Sequence, residues 1–157
     1  MAEYLSVEHY LPHRAPMVLL DEVLLIDEDR AHCRVRVGRD TVLGPFLNAG
    51  GQLPAWFGIE ILAQTIGVWS GWHGRRLFNA APRPGMLLGG RGYQCKTAGF
   101  PAGAMLDVQV QLLMRDEKIG SFEGAISVDG ERYAGGRLNI YQPDDHELQQ
   151  LLQQGKS

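Results

Sequence analysis

The chain has 157 residues, which is enough for one domain, and we expect a single domain over residues 1–157. Hydrophobic residues make up 45% of the chain and charged residues 21%, so the composition is that of a globular protein and excludes a disordered one. The net charge is −3, and the Lys and Arg residues are scattered without forming a basic stripe. This distribution argues against nucleic acid as a partner.

The two cysteines, Cys33 and Cys95, lack the spacing of a zinc site or of a disulfide framework. We expect two buried free thiols, no metal and no cofactor. No signal peptide is expected, because the first 25 residues contain the charged residues Glu3, Glu8, Arg14, Asp21 and Glu22. These features predict a cytoplasmic protein.

The chain opens with a predicted β-hairpin. Residues 18–26 and 31–37 form two apolar runs separated by a polar turn, which is typical of paired strands. The second run alternates cleanly, and its apolar positions are Ala31, Cys33, Val35 and Val37. Residues 38–53 are rich in Gly and contain Pro45, so we expect a long ordered loop there. Loops of this length are often functional.

A long apolar helix follows the loop. Pro54 suits the first turn of a helix, and the run of apolar residues predicts a helix over about 54–74. Between Ala55 and Trp72 the only charged side chain is Glu60. A helix that is apolar nearly all round needs to be covered by the rest of the protein.

A membrane span is the alternative interpretation of this helix, because its length fits a bilayer and Gly67 and Gly71 form a GxxxG pair. Polar residues interrupt the run, however, and one helix among six strand-like segments is unusual for a membrane protein. We therefore expect no membrane span. The two glycines are expected to allow close approach of a sheet.

Four further strands are predicted, over residues 86–96, 104–114, 119–128 and 131–141. Asp129 and Gly130 form a two-residue hairpin signal between the last two strands. A polar tail over about 143–157 begins at Pro143, and a short helix capped by Asp144 or Asp145 is expected in it.

The order of elements is a hairpin, one long helix and four antiparallel strands. A curved antiparallel sheet wrapped around a central hydrophobic helix satisfies this order best, which is the α+β arrangement called the hotdog fold. One sheet covers only one side of such a helix and leaves an open edge. We therefore expect a dimer whose protomers join along a sheet edge.

Glu60 is the most informative candidate for chemistry. A carboxylate buried in the second turn of an apolar helix costs several kcal/mol unless it is paired or protonated. Burial would favour the protonated form, which can donate a proton. The alternative is a carboxylate that reaches solvent at the helix edge. Gln64 lies one turn further on, where it could bond the carboxylate or a water, or make an ordinary polar contact with a loop.

The start of the helix and one histidine complete the candidate site. The amides of Ala55 and Trp56 are expected to be unpaired at the positive end of the helix dipole, where an oxyanion is stabilised. His13 lies between Pro12 and Pro16 in a stiff, irregular segment. A rigid loop can hold a catalytic imidazole, although a structural imidazole bonded to backbone is an equal alternative.

Several motifs resemble a known family. LPHRAPMVLLDEVL at 11–24 closely resembles the opening motif of FabZ-type 3-hydroxyacyl-acyl-carrier-protein dehydratases, and LPAWFGIEILAQ at 53–64 resembles the start of their helix. GGRGYQCKTAGFPAG is similar to the third segment of that family. The strings PAWFGIE, LLGGRGYQC and GRLNIYQP more specifically resemble the ApeP-like hotdog dehydratases associated with aryl polyene gene clusters.

The resemblance implies that the protein removes water from a 3-hydroxyacyl thioester on acyl carrier protein, in fatty acid or aryl polyene-type biosynthesis. In that family a His and a Glu from opposite subunits act together, and an amide at the helix start holds the oxyanion. Glu60 and Gln64 carry over directly, and Ala55 stands where the family has Gly. The family's GHFP histidine does not carry over, because this loop reads GPFLNAGGQ with Phe46 at the position of the His.

We therefore expect a homodimer in which Glu60 protonates the leaving hydroxyl and His13 removes the C2 proton. The acyl chain would lie in an apolar tunnel beside the helix, and the expected substrate-binding residues are Ala55, Trp56, Gln64 and Phe46. One alternative is a hotdog thioesterase that uses Glu60 as the base. The other is a weakly active or non-catalytic subunit that forms a heterodimer with a catalytic hotdog dehydratase.

Overall fold

The computed structural model describes residues 4–13, 17–78, 86–116 and 119–141. Its strands are β1 Glu22–Ile26, β2 Arg30–Arg36, β3 Leu53–Pro54, β4 Met86–Cys95, β5 Gly99–Phe100, β6 Met105–Arg115, β7 Ile119–Val128 and β8 Glu131–Tyr141. The helix α1 spans Phe57–Phe78. Short 3₁₀ turns occupy Val7–His9 and Gly44–Phe46.

Six strands form one antiparallel sheet in the order β1-β2-β6-β7-β8-β4. The strands β3 and β5 pair with each other in a separate two-stranded sheet. The helix α1 packs against the large sheet, contacting β2, β6, β7, β8 and β4. The α+β hotdog architecture is confirmed. Within the described residues, β1 and β4 are the two open edges of the sheet.

The alternation in β2 sets the inner face of the sheet. Ala31, Cys33 and Val35 are buried, whereas Arg36 is exposed. In the register with β6, Cys33 lies opposite Val108, which is also buried. The predicted apolar face of this strand is therefore confirmed, because every second side chain points to the same side of a sheet.

Only part of the helix surface is covered by the sheet. Leu62 is fully buried where the helix approaches β7, and Ile61 and Val68 are fully buried as well. The approach is close: a Cβ placed on Gly124 of β7 would lie 2.7 Å from Leu62 Cδ2. On another side of the helix, Glu60 is exposed. The sheet therefore reaches one face of the helix and leaves this side open, as expected for a single sheet.

The segment before β1 covers a second side of the helix. Gly71 lies directly under the backbone of Tyr10, and a Cβ there would collide with the Tyr10 carbonyl oxygen. A Cβ on Gly67 would lie 2.8 Å from Leu11 Cδ2. The two glycines were expected to admit a sheet, but they admit this N-terminal segment instead.

Two predicted boundaries are wrong for the same reason, which is pairing with distant parts of the chain. The first strand begins at Glu22 and not at residue 18, because the preceding backbone bonds to Gln64 of the helix. The helix begins at Phe57 and not at Pro54, because Pro54 pairs with Gly99.

The expectations about the cysteines, the tail and a membrane span have different outcomes. Cys33 is buried as expected, but Cys95 on β4 is only half-buried. The predicted tail helix over 143–157 lies outside the described residues. None of the helices among the described residues combines the length and apolarity needed to cross a bilayer.

The packing of the N-terminal segment predicts opposite effects for two nearby glycines. We expect Gly71→Ala to lower the free energy of unfolding by about 1–3 kcal/mol, because the new methyl group displaces the Tyr10 backbone. A Cβ placed on Gly74 would meet no packed neighbour within 4 Å among the described residues. Gly74→Ala should therefore raise the free energy of unfolding by about 0.5–1 kcal/mol through helix propensity. Urea titration followed by circular dichroism measures both, and equal effects would contradict this packing.

Candidate active site

The turn before α1 is held by hydrogen bonds to the region around β5. The Ala55 amide donates to the Ala98 carbonyl at 3.0 Å. The Ala55 carbonyl accepts from the Tyr93 hydroxyl at 2.6 Å and from the Gly58 amide at 3.1 Å. Both backbone groups of Ala55 are thus engaged within the chain.

This bonding corrects one expectation about the oxyanion donors. The Ala55 amide is not unpaired, since Ala98 accepts it. The Trp56 amide forms no backbone hydrogen bond within the part of the chain that the structure describes. Of the two expected donors, Trp56 is therefore the one whose N–H remains for a ligand.

Glu60 lies on the open side of the helix. It is exposed in the single chain, which contradicts the expected burial. The physical reason is that the sheet covers the opposite face and the N-terminal segment covers the helix only from Gln64 onward. The alternative of a carboxylate that reaches solvent at the helix edge is therefore the correct one for the isolated chain.

Aromatic side chains surround the start of the helix. Trp56 is 67% exposed and stacks on Phe57 with ring centroids 5.8 Å apart. Phe46, from the long loop, packs against Phe57 at 5.3 Å. Phe46 is thus brought to the helix start, one turn from Glu60. The position that holds a His in the FabZ-type motif is filled here by an apolar ring.

Gln64 joins the helix to the segment before β1. It is 3% exposed. Its Oε1 accepts a hydrogen bond from the Leu19 amide at 2.8 Å, and its Nε2 donates to the Met17 carbonyl at 2.7 Å. The side chain was considered as a partner for the Glu60 carboxylate or a water. It instead makes the alternative polar contact with a loop and clamps the backbone over residues 17–19.

His13 lies in the same segment, between two anchors on the helix. Leu11 packs at Gly67, and Met17 bonds to Gln64. His13 is half-buried, with its Nδ1 atom inside the protein.

These anchors belong to one stripe of the helix. Positions 60, 64, 67 and 71 recur at the spacing of a single helix face. At about 1.5 Å per residue, Gln64 lies roughly 6 Å beyond Glu60 along the axis, and Gly67 roughly 10 Å. The segment that carries His13 therefore runs along the stripe that ends at Glu60.

His73 has a structural role at the other end of the helix. Its Nε2 lies 2.8 Å from the Asp27 carbonyl oxygen, which accepts the ring proton. Its ring is 4.5 Å from Trp69 and 4.9 Å from Trp72, centroid to centroid. The hydrogen bond to Asp27 ties the helix to the turn between β1 and β2, far from Glu60.

No metal site is visible in the described ranges, and the Cys33 thiol is buried in the core. No group of three or more His, Cys, Asp or Glu residues there could hold a metal ion. Burial raises the pKa of the Cys33 thiol to about 12, despite a hydrogen bond with Thr65 that lowers it. Cys33 is therefore a protonated core residue and a poor nucleophile.

Two residues of this site had not been identified from the sequence. Tyr93 of β4 contacts the helix start, and Met17, which is 56% exposed, lies at the Gln64 clamp. The sequence signal for Tyr93 was Gly58, in the first turn of the helix. A Cβ there would collide with the Tyr93 hydroxyl.

Comparison with known proteins gives a consistent result. Residues 5–153 match the ApeP-like family model, described as ApeP dehydratase. A chain of the solved dehydratase heterocomplex ApeI:P from Xenorhabdus doucetiae is 54% identical, with a TM-score of 0.90, over 96% of this chain and 99% of that one.

Curated enzymes give shorter matches. The 3-hydroxyacyl-[acyl-carrier-protein] dehydratases FabZ of Streptococcus sanguinis and Streptococcus pneumoniae are 42% and 39% identical over 72 residues. This match covers 43% of this chain and 49% of each relative, so the chain spans about half the length of these curated relatives.

The clamp predicts a pH-dependent defect in one isosteric variant. In Gln64→Glu, a carboxylate can accept from Leu19 but cannot donate to Met17, so we expect about 2–3 kcal/mol of destabilisation at neutral pH. Burial raises the pKa of the introduced carboxyl, so the stability of the variant is lost as the pH rises through that pKa. The deficit relative to the parent chain should therefore shrink in acid.

Urea titrations of Gln64→Glu and the parent chain at several pH values test this expectation. Gln109→Glu, an exposed position on β6, is the matched control and should differ little from the parent at any pH. A Gln64→Glu deficit that does not change with pH would contradict the donor role of Gln64.

Proposed function

Because the chain belongs to the ApeP-like dehydratase family, we propose that it acts in removing water from a 3-hydroxyacyl thioester carried on acyl carrier protein. The product is the trans-2-enoyl thioester, made for fatty acid or aryl polyene-type biosynthesis. The match over residues 5–153 carries the proposal, because it includes the whole candidate site. We also propose that residues 1–157 form one hotdog domain that acts in the cytoplasm, where free thiols persist.

Glu60 is the proposed general acid. Its carboxyl donates a proton to the C3 hydroxyl, which leaves as water, while a base takes the proton from C2. The electron pair of the C2–H bond then forms the C2=C3 double bond as the C3–O bond breaks. The negative charge that develops on the thioester oxygen is stabilised by the Trp56 amide at the helix start.

This chemistry requires a partner chain at the open side of the helix. Glu60 and Trp56 are both exposed in the single chain, whereas a general acid works best when water is excluded and its protonated form is favoured. The edge strand β4 supports one location for the partner, since Tyr93 of this strand bonds directly to the helix start. A chain added to β4 would cover this side of the site.

We propose that the partner is a second hotdog chain. A second copy of this chain would give the homodimer expected from the sequence. A different hotdog chain is favoured, because the 54% identical relative belongs to a dehydratase heterocomplex.

The base has two candidates. His13 lies in the segment that follows the helix stripe toward Glu60. The other candidate is a histidine of the partner, since Phe46 occupies the position of the FabZ-type loop histidine. In the second case the chain supplies Glu60 to a shared site and is inactive alone.

Replacement of the proposed acid tests the function. We expect Glu60→Gln to lower the dehydration rate by about 10² or more, since the amide keeps the shape but cannot transfer a proton. The free energy of unfolding should stay within about 0.5 kcal/mol, because the position is exposed. Glu123→Gln, at an exposed carboxylate on β7, is the control and should keep full activity. Parent-level turnover by Glu60→Gln would refute the proposed role.

The two candidate bases are separated by a pair of variants. If His13 is the base, His13→Asn abolishes turnover while His73→Asn, at the histidine bonded to Asp27, retains it. If the partner supplies the base, both variants stay active in the assembled complex and the isolated chain has no activity. Mass spectrometry of the carrier-bound product measures turnover, and circular dichroism checks that both variants are folded.

A further inference from the structure

A single peptide unit connects Tyr93 to the proposed oxyanion donor. This unit contains the carbonyl of Ala55 and the N–H of Trp56. Its carbonyl accepts from the Tyr93 hydroxyl at 2.6 Å and from the Gly58 amide at 3.1 Å. A trans peptide is planar, so its N–H points in the direction opposite to its C=O. Fixing the Ala55 carbonyl therefore fixes the direction of the Trp56 N–H.

We propose that Tyr93 is a positioning residue that aims the Trp56 amide at the thioester oxygen. This inference rests on the proposed function and adds to it a residue that touches no substrate. Tyr93 acts through the peptide unit alone. Its hydroxyl lies on the carbonyl side, and the oxyanion would lie on the N–H side.

The same hydrogen bond strengthens the donor. A hydroxyl bonded to a carbonyl polarises the whole peptide unit and makes its N–H a better donor to an anion. Tyr93 is available for this role at any physiological pH, since its partial burial raises the pKa of the phenol further above its ordinary value. The hydroxyl therefore stays protonated.

The first turn of the helix is shaped around this hydroxyl. Gly58 faces Tyr93, and an added Cβ would collide with the hydroxyl oxygen and lie 3.0 Å from Cζ. Ile126 Cδ1 would lie 3.2 Å from the same Cβ. The ring thus occupies the space that a side chain at position 58 would need. Because Tyr93 belongs to the edge strand β4, the bond also ties the peptide unit to the large sheet, at the irregularity between Arg91 and Gln94 in the pairing of β4 with β8.

The test combines kinetics with a spectroscopic signature that does not depend on activity. In Tyr93→Phe the Ala55 carbonyl loses its hydroxyl donor, so the ¹⁵N resonance of Trp56 should shift. In the assembled enzyme kcat should fall roughly 10-fold or more, with KM changed less than about 2-fold, since the oxyanion forms after the substrate binds. Tyr133→Phe is the matched control, at a tyrosine on β8 whose ring lies under Lys96. It should leave the Trp56 ¹⁵N resonance and kcat unchanged.

Gly58→Ala provides a second variant that displaces the hydroxyl without removing it. It should shift the Trp56 ¹⁵N resonance and lower kcat in the same way. In the double variant Gly58→Ala/Tyr93→Phe the collision is relieved, so the melting temperature should recover while kcat stays low. Recovery of kcat together with the melting temperature would overturn the positioning role and leave Tyr93 with a packing role only.

The remaining outcomes separate this inference from the function on which it rests. An unchanged Trp56 resonance in Tyr93→Phe would overturn the inference, whatever the activity. A shifted resonance with an unchanged kcat would overturn it too, because the amide would then not serve the reaction. If the Trp56 resonance shifts in Tyr93→Phe but the assembled parent enzyme produces no enoyl thioester, the proposed function is refuted, while the hydrogen bond from Tyr93 still positions the amide.

Discussion

The need to cover one long apolar helix governs this structure. Ile61, Leu62 and Val68 of the helix are fully buried, and each such side chain removed from water contributes about 1.5–3 kcal/mol. One sheet reaches only one face of the helix. The N-terminal segment covers a second side, and the surface around Trp56 and Glu60 stays exposed in the single chain. The candidate site is the part of the helix that the chain does not cover.

The N-terminal segment can lie along the helix because the stripe beneath it is small or polar where the backbone passes. Gly71 and Gly67 leave room for Tyr10 and Leu11, and Gln64 supplies one donor and one acceptor to a backbone that has left the sheet. A buried backbone group without a partner is costly, so this single side chain makes the arrangement possible. The covered stripe then stops one turn short of Glu60, the proposed general acid.

Local patterns in the sequence were sufficient for the fold but not for the details of the site. The alternation in β2 and the apolar run of α1 are set by periodicity, which any reader of the sequence can count. The sequence left open whether Glu60 is buried or reaches solvent, because no pattern states how far one sheet extends around a helix. The engagement of the Ala55 amide depends on Ala98, more than 40 residues away. Tyr93 was missed because its role is defined by the Ala55 carbonyl, a backbone group without any sequence signature.

The proposed roles of Glu60, Trp56 and Tyr93 all depend on loss of water from a carrier-bound 3-hydroxyacyl group. The mass of the acyl carrier protein decides whether this reaction occurs, measured after incubation with the chain purified together with its bound partner. We expect the carried acyl group to lose the mass of one water and to gain a conjugated double bond. Release of the whole acyl group, leaving a free thiol on the carrier, would contradict dehydration in favour of a thioesterase. An unchanged mass with the assembled complex, for acyl chains of several lengths, would contradict it outright.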